Sequence, residues 1–271
     1  MKRLIILLFI PVLHACTNQK TDKVIDSAAA VVTRTNTDSL SYTYDSVKVY
    51  SKNSVSTDKS ITDTAKAVIV YPVFTDPVVN KFIEGRVTGM AGKQGAYKTY
   101  KDITSGFIKE YDEFQSKNTS RKQIWFEDLD LSVKANYPNY LSVLYTYIDY
   151  KGGAHPNTLY TYFNYNPKNY QTITLDSIIT SEGMPKLRAV AEQIFRKNEK
   201  LAPEASLTEG YFFPEGIFAL AETFTLSKEG ILFLYNPYEI KPYVAGKTSL
   251  TVPYSSIKDI LKPSPVLANF N

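Results

Sequence analysis

Two hydrophobic periodicities run along the chain and fall into separate blocks. Alternation of apolar and polar positions predicts strands at residues 41–50, 65–74, 125–135, 140–150, 159–165, 172–179, 224–226, 231–236 and 249–253. Apolar positions spaced three and four residues apart predict helices at residues 77–90, 100–115, 185–200 and 255–261. Because helices and strands are grouped rather than strictly alternating, we expect an α+β fold of antiparallel sheets with packed helices, and not a doubly wound parallel sheet.

A polar junction at residues 116–121 marks the change from helical to strand-like period. We therefore predict two small modules in one ectodomain, an N-terminal α+β module at 39–120 and a C-terminal α+β module at 121–262. The Pro-rich residues 263–271 are predicted to form a loose tail. Polar residues without apolar periodicity predict a flexible tether at 16–38.

The first sixteen residues carry a secretion pattern. A basic start at Lys2 and Arg3 precedes an apolar run that extends to Leu13, and His14 and Ala15 then precede Cys16. A cysteine directly after a small residue resembles the lipobox of bacterial lipoproteins, so residues 1–15 are predicted to be a lipoprotein signal peptide. An ordinary signal peptide followed by a chance cysteine is the alternative. We expect a bacterial cell-envelope protein that Cys16 anchors to the membrane through lipid, on the periplasmic or outer-membrane side.

Composition narrows the classes of partner and site. Cys16 is the single cysteine, which excludes an intrachain disulfide and any site with several cysteine ligands. The formal net charge of +4 moves closer to zero when Lys2 and Arg3 leave with the signal, so we expect no nucleic-acid partner. We expect no cofactor and no metal ion.

A special turn, Gly152-Gly153-Ala154-His155-Pro156-Asn157, separates two Tyr-rich strands. His155 is the only histidine apart from His14 in the predicted signal. Three roles are open to it: a contact that fixes the turn, a contact to a ligand, or a general base. We take His155 and Asn157 as candidate binding residues.

The segment 236–246 contains two prolines and a terminal glycine that constrain a loop. The loop carries Tyr238, Glu239 and Tyr243, and tyrosine offers contact area at low entropic cost. A recognition surface and a packed connector between strands both explain the pattern. We take these three residues as further candidate binding residues and assign no catalytic residue.

Two weaker patterns favour structural roles. Asp128 and Asp130, with Glu127, are compatible with a cation site, but a solvated strand face explains them more simply. Ser255 and Lys258 match the S-x-x-K spacing of serine acyltransferases without its companion motifs, so Ser255 is interpreted as a helix N-cap.

Several of these motifs together resemble a known family. The turn at 152–157, Leu175-Asp176, the run 229–240 and Val252-Pro253-Tyr254 resemble, in order and spacing, the extracellular C-terminal domain of the anti-sigma factor RsiV, a DUF3298-type domain, over about 121–262. Residues 70–74, running into 80–83, are similar to the companion N-terminal module (DUF4163-type) of RsiV and of the deacetylase PdaC, over about 39–120.

The resemblance implies a two-module ectodomain with a binding role, because this ectodomain binds lysozyme in RsiV. We expect neither sigma-factor control nor deacetylation to carry over, since neither a sigma-binding segment nor a deacetylase domain is recognised in the sequence. The leading expectation is a non-catalytic binding module for lysozyme-like proteins or peptidoglycan. A structural or assembly lipoprotein is one alternative, and a cell-wall glycan hydrolase using His155 with Glu239 is another.

Overall fold

The computed structural model describes residues 39–54, 64–92, 95–119 and 123–270. The predicted signal peptide, the tether and Cys16 lie outside the described residues. In chain order the elements are β1 (Tyr42–Ser54), β2 (Thr64–Phe74), α1 (Pro77–Met90), α2 (Tyr100–Lys117), β3 (Phe126–Tyr137), β4 (Tyr140–Tyr150), β5 (Asn157–Asn166), β6 (Gln171–Thr172), α3 (Met184–Asn198), β7 (Phe224–Leu226), β8 (Ile231–Tyr235) and β9 (Thr248–Val252). The α+β class predicted from the sequence is confirmed.

The larger sheet has six strands in the order β1-β2-β3-β4-β5-β6. All neighbouring pairs are antiparallel except β2 and β3, which run parallel. The sheet is therefore mixed rather than wholly antiparallel as predicted, because α1 and α2 form a crossover that returns the chain to the same end of the sheet. The sheet also combines β1 and β2 of the predicted N-terminal module with β3 to β6 of the predicted C-terminal module.

Both crossover helices begin where the sequence supplies caps. Asp76, the residue directly before Pro77, is the N-cap of α1, and its carboxylate accepts a hydrogen bond from the Val78 N–H. Thr99 and Asp102 form a reciprocal capping box at the start of α2. The buried residues of α1, among them Ile83 and Val87, pack on the sheet and form one core cluster with Leu129 and Leu131 of β3, while α2 covers the part of the sheet near Trp125.

The smaller sheet has three antiparallel strands in the order β7-β8-β9, and α3 packs against it. Leu187, Ala191 and Phe195 of α3 are buried in this second core. The helix predicted at 255–261 forms two separate 3₁₀ turns, Tyr254–Ser256 and Lys258–Ile260, and Ser255 lies inside the first turn rather than capping a helix.

The C-terminal residues pack against the second core, so the prediction of a loose tail is wrong. Val266 and Leu267 are each 6% exposed. The Phe270 ring lies edge-on to the rings of Tyr137 and Tyr140, with centroids 5.3 and 5.5 Å away. The apolar residues that follow Pro265 gain more from burial than the composition of the segment suggests.

A buried hydroxyl network joins the two sheets. The fully buried Tyr140 donates its hydroxyl proton to Asn164 Oδ1 at 2.8 Å and accepts a hydrogen bond from the Leu226 N–H at 2.8 Å. The Thr225 hydroxyl lies 2.9 Å from the Tyr140 oxygen and 2.7 Å from Ser142 Oγ. Asn164 Nδ2 donates to the Phe224 carbonyl at 2.7 Å. Every polar atom that Tyr140 brings into the core is thus engaged, and burial raises the pKa of Tyr140 to about 12.

We expect Tyr140→Phe to lower the free energy of unfolding by about 1–3 kcal/mol, because the Leu226 N–H and the Asn164 side-chain oxygen lose their buried partner. Urea denaturation followed by far-UV circular dichroism measures the change. Tyr170→Phe removes a hydroxyl from a side chain that is 50% exposed and serves as the control, with almost no expected effect. Equal midpoints for the two variants would show that the network does not stabilise the joint.

Candidate functional site

The two loops that carry the predicted binding residues meet at one end of the sheets. The His155 ring stacks on the Tyr243 ring with centroids 3.8 Å apart and an interplanar angle of 13°. His155 Nε2 lies 3.2 Å from the Tyr238 hydroxyl, and Nδ1 lies 2.9 Å from the Pro156 carbonyl. We call His155, Tyr238 and Tyr243 the aromatic patch. A neutral imidazole with its proton on Nδ1 satisfies both contacts, since Nδ1 then donates and Nε2 accepts.

Backbone conformations that few residues adopt place these rings. Gly152 and Gly153 have φ values of +101° and +118°, and a Cβ atom at Gly152 would lie 1.9 Å from Gln123 Nε2. In the other loop Tyr238 itself has a φ of +67°, and its N–H donates to the Lys241 carbonyl. Tyr238 is 56% exposed. A positive φ is uncommon for a residue other than glycine, so the backbone of this loop has few alternative conformations.

Asn236 fixes the second loop to β5. Its side-chain oxygen accepts a hydrogen bond from the Tyr160 N–H at 2.6 Å, and its side-chain nitrogen donates to the Tyr160 carbonyl at 3.0 Å. The Thr158 hydroxyl lies 3.4 Å from the Tyr243 hydroxyl on the same stretch of β5. The patch is therefore held by strand β5 and not by loop residues alone.

Two of the five predicted binding residues, Asn157 and Glu239, are not part of the aromatic patch. Asn157 opens β5 opposite Asp149, and strand alternation directs its side chain to the face opposite Thr158. Glu239 accepts a hydrogen bond from the Asn236 N–H at 2.7 Å, and partial loss of hydration raises the pKa of Glu239. Among the described residues, no hydrogen bond or ion pair joins His155 to Glu239, so the pairing expected for a hydrolase is not formed.

A buried carboxyl group, that of Glu127, lies on the face of the larger sheet opposite to Thr158. Glu127 and Asp149 are each 5% exposed and occupy directly opposed positions on β3 and β4. The Tyr147 hydroxyl donates to Glu127 Oε1 at 3.2 Å, whereas Oε2 has no hydrogen-bond partner in the part of the chain that the structure describes. Burial raises the pKa of Glu127 to about 7, against the opposing effects of Tyr147 and of the Lys151 charge.

The sequence interpretation grouped Glu127 with the wrong neighbours. Asp128 pairs with Lys66 at 3.1 Å and Asp130 accepts from Ser132, so both are partnered on the other face. A period of two places Glu127 with the buried Leu129, and this signal was available in the sequence. Across the described ranges, no group of three or more His, Cys, Asp or Glu side chains is arranged to hold a metal ion.

Glu127 makes stability depend on pH. Its pKa in the folded protein, about 7, lies above the ordinary value of 4.5, so the folded state binds more protons between these values. The stabilisation is complete below pH 4.5 and is lost as the pH rises through 7. We expect Glu127→Gln to raise the free energy of unfolding at pH 8, relative to the wild type, by at most about 3 kcal/mol, with little change near pH 4.

Urea denaturation between pH 4 and 8 measures this difference. Glu113→Gln neutralises an exposed carboxylate on α2 and is the matched control. Parallel stability curves for the wild type and Glu127→Gln across this range would contradict the assignment.

Comparison with known families places two matches along the chain. The family model described as "Deacetylase PdaC" matches residues 6–158, which is more than half of the chain. The model described as a protein of unknown function, DUF3298, matches residues 176–255. The first match extends through β4 to the turn that holds His155, and the second contains Tyr238 and Tyr243.

Similar proteins are found among bacteria. Peptidoglycan-N-acetylmuramic acid deacetylase PdaC of Bacillus subtilis is 23% identical over 208 residues, covering 73% of this chain and 39% of that protein. Immunogenic protein MPT64 of Mycobacterium tuberculosis is 27% identical over 116 residues, covering 41% of this chain and 47% of that protein. The chain thus matches less than half the length of either relative.

Two crystal structures of DUF3298 family proteins share the fold. A protein from Bacteroides fragilis superposes with a TM-score of 0.66 at 24% identity, covering 88% of this chain and 99% of its own. A protein from Pseudomonas aeruginosa superposes with a TM-score of 0.64 at 16% identity, covering 83% of this chain and 95% of its own. At these identities the likeness establishes the fold alone.

Proposed function

Because this chain belongs to the PdaC family, we propose that it is a lipid-anchored binding module of the bacterial cell envelope that recognises peptidoglycan without altering it chemically. The matched domains point to an envelope-associated extracellular protein. No α-helix in the described ranges combines the length and hydropathy that crossing a bilayer requires. The name of the B. subtilis relative states that it acts on peptidoglycan, which supports this choice of ligand.

The convergence of the two loops is the observation that carries the proposal. Residues 155 and 243 are far apart in the chain, and their rings nevertheless stack at 3.8 Å. Tyr238 remains 56% exposed beside them, and Val244 is 93% exposed. Such a surface combines apolar ring area with hydroxyl groups, which suits the alternating apolar and polar faces of a sugar.

Preorganisation of the aromatic patch strengthens the argument. Asn236 ties one loop to β5, and the Tyr150 hydroxyl donates a hydrogen bond at 2.9 Å to the Gly153 carbonyl in the turn that carries His155. The rings therefore lose little conformational freedom when a ligand binds, and less of the contact energy is spent on ordering the surface.

A lysozyme-like protein is the alternative ligand, and the resemblance to RsiV motivates it. Exposed tyrosines also anchor protein interfaces. A structural or assembly lipoprotein would use the same anchor but would bind neither glycan nor lysozyme through the aromatic patch.

We expect the double variant Tyr238→Ala/Tyr243→Ala to bind peptidoglycan about thirtyfold or more weakly, because aromatic anchors at a binding surface contribute about 2 kcal/mol or more. Sedimentation with purified sacculi, and calorimetry with soluble muropeptides, measure the change. Tyr170→Ala removes a tyrosine that is 50% exposed and should bind as the wild type does.

The same variants are titrated with lysozyme. Loss of lysozyme binding with no wild-type affinity for sacculi would replace peptidoglycan by a protein ligand. Unchanged binding of sacculi by the double variant would exclude the aromatic patch as the site.

We expect Cys16→Ala to move the protein from the membrane fraction to the soluble fraction, because the acyl anchor requires the Cys16 thiol. Cell fractionation and labelling with a palmitate analogue measure anchoring, and Thr17→Ala is the neighbouring control. Membrane retention of Cys16→Ala without label on the wild type would contradict the anchor.

A further inference from the structure

A concave surface lies between the two sheets, apart from the aromatic patch. A cleft of about 380 Å³ opens between β3 and β5 on one side and the β7–β8 hairpin on the other. The rings of Tyr137, Tyr162 and Phe270 line it together with Leu226 and Leu232. Its lining shares no residue with the aromatic patch. The volume falls in the range of sites that hold small molecules.

The two charged side chains that line the cleft are both basic. Lys134 comes from β3 and Lys228 from the turn between β7 and β8, and both side chains are exposed at the cleft. Among the residues that the structure describes, no aspartate or glutamate lines the cleft. The ion pairs formed within the described residues include neither lysine. The pKa of the adjacent Glu229 is lowered chiefly by a hydrogen bond to the Ser227 side chain, with a smaller contribution from the Lys228 charge. Two ammonium groups are therefore available to an anion at this point.

A polar group accompanies the two charges. Tyr162 is half-buried in the lining, and burial raises the pKa of its phenol, which keeps the hydroxyl as a neutral donor. Within the described ranges, no hydrogen bond engages this hydroxyl. An unengaged donor beside two cations and an apolar wall is arranged for a ligand that is anionic at one end and apolar along its body.

We propose that this cleft binds a small organic carboxylate carried on a body with an apolar face. The carboxylate lies between Lys134 and Lys228, and the body lies against the rings of Tyr137, Tyr162 and Phe270. Two kinds of compound share this chemistry, an acidic sugar and an acyl acid. The site is separate from the aromatic patch, so the inference does not depend on peptidoglycan binding there.

Calorimetry on the full chain at low salt tests the site with matched probes. Methyl glucuronide is compared with methyl glucoside, and hexanoate with hexanol, so that each pair differs chiefly in the charged group. We expect each carboxylate probe to bind with about tenfold higher affinity than its neutral partner, because two partly exposed ion pairs contribute about that much. The difference should shrink as the salt concentration rises.

The variant Lys134→Ala/Lys228→Ala should abolish this preference. Lys168→Ala/Lys258→Ala removes two exposed charges away from the cleft and should retain it. Stronger binding of methyl glucuronide identifies the sugar body as the ligand, and stronger binding of hexanoate identifies the acyl body. Equal binding of charged and neutral probes, or an equal loss in both double variants, would overturn the proposal. Because sacculi are proposed to bind at the aromatic patch, the cleft variant should still bind them, which separates a failure of the cleft proposal from a failure of the proposed function.

Discussion

The buried hydroxyl of Tyr140 is the contact on which the arrangement of the two sheets depends. It binds Asn164 of β5 and the backbone of β7, and Ser142 and Thr225 extend the same network. Hydrogen bonds in a water-free core are directional, so they fix the position of β7 on the larger sheet more tightly than apolar packing does. Because β8 and β9 are built on β7, the network also determines where the loop at 236–246 meets β5. The aromatic patch and the cleft are both consequences of this one joint.

Local signals in the sequence predicted much of the fold. Asp76 and Pro77 start α1, the apolar stripe through Leu187 and Phe195 forms α3, and the turn before Gly230 closes the β7–β8 hairpin. The parallel pairing of β2 with β3 was not predictable in this way, because it joins strands separated by two helices and no local pattern encodes it. The packed C-terminal segment was missed for a related reason, since Phe270 contacts residues more than a hundred positions earlier in the chain.

The candidate site was predictable in its parts and not in its assembly. Unusual glycine and proline content singled out both loops, and His155, Tyr238 and Tyr243 were named from it. Their contact is a tertiary result of Asn236 binding to Tyr160, which the sequence does not signal. Strand alternation separates Asn157 from the patch and places Glu127 in the core, and the sequence interpretation did not apply the period of β5 and β3 to these two residues. The cleft between the sheets was not predicted either, because only tertiary contacts bring its lining residues together.

Asn236 has a further consequence for the surface of the protein. Beyond the short pairing with β6, one side of β5 has no neighbouring strand along Tyr160 in the described part of the chain. Exposed strand edges recruit strands of other molecules and lead to aggregation. The Asn236 amide occupies both outward-facing main-chain groups of Tyr160 and so imitates a single residue of a neighbouring strand without extending the sheet. Asn236, which positions the loop at 236–246, thereby also blocks the pairing of β5 with a strand of another molecule. Such protection matters most where many copies of a protein are crowded together on one surface.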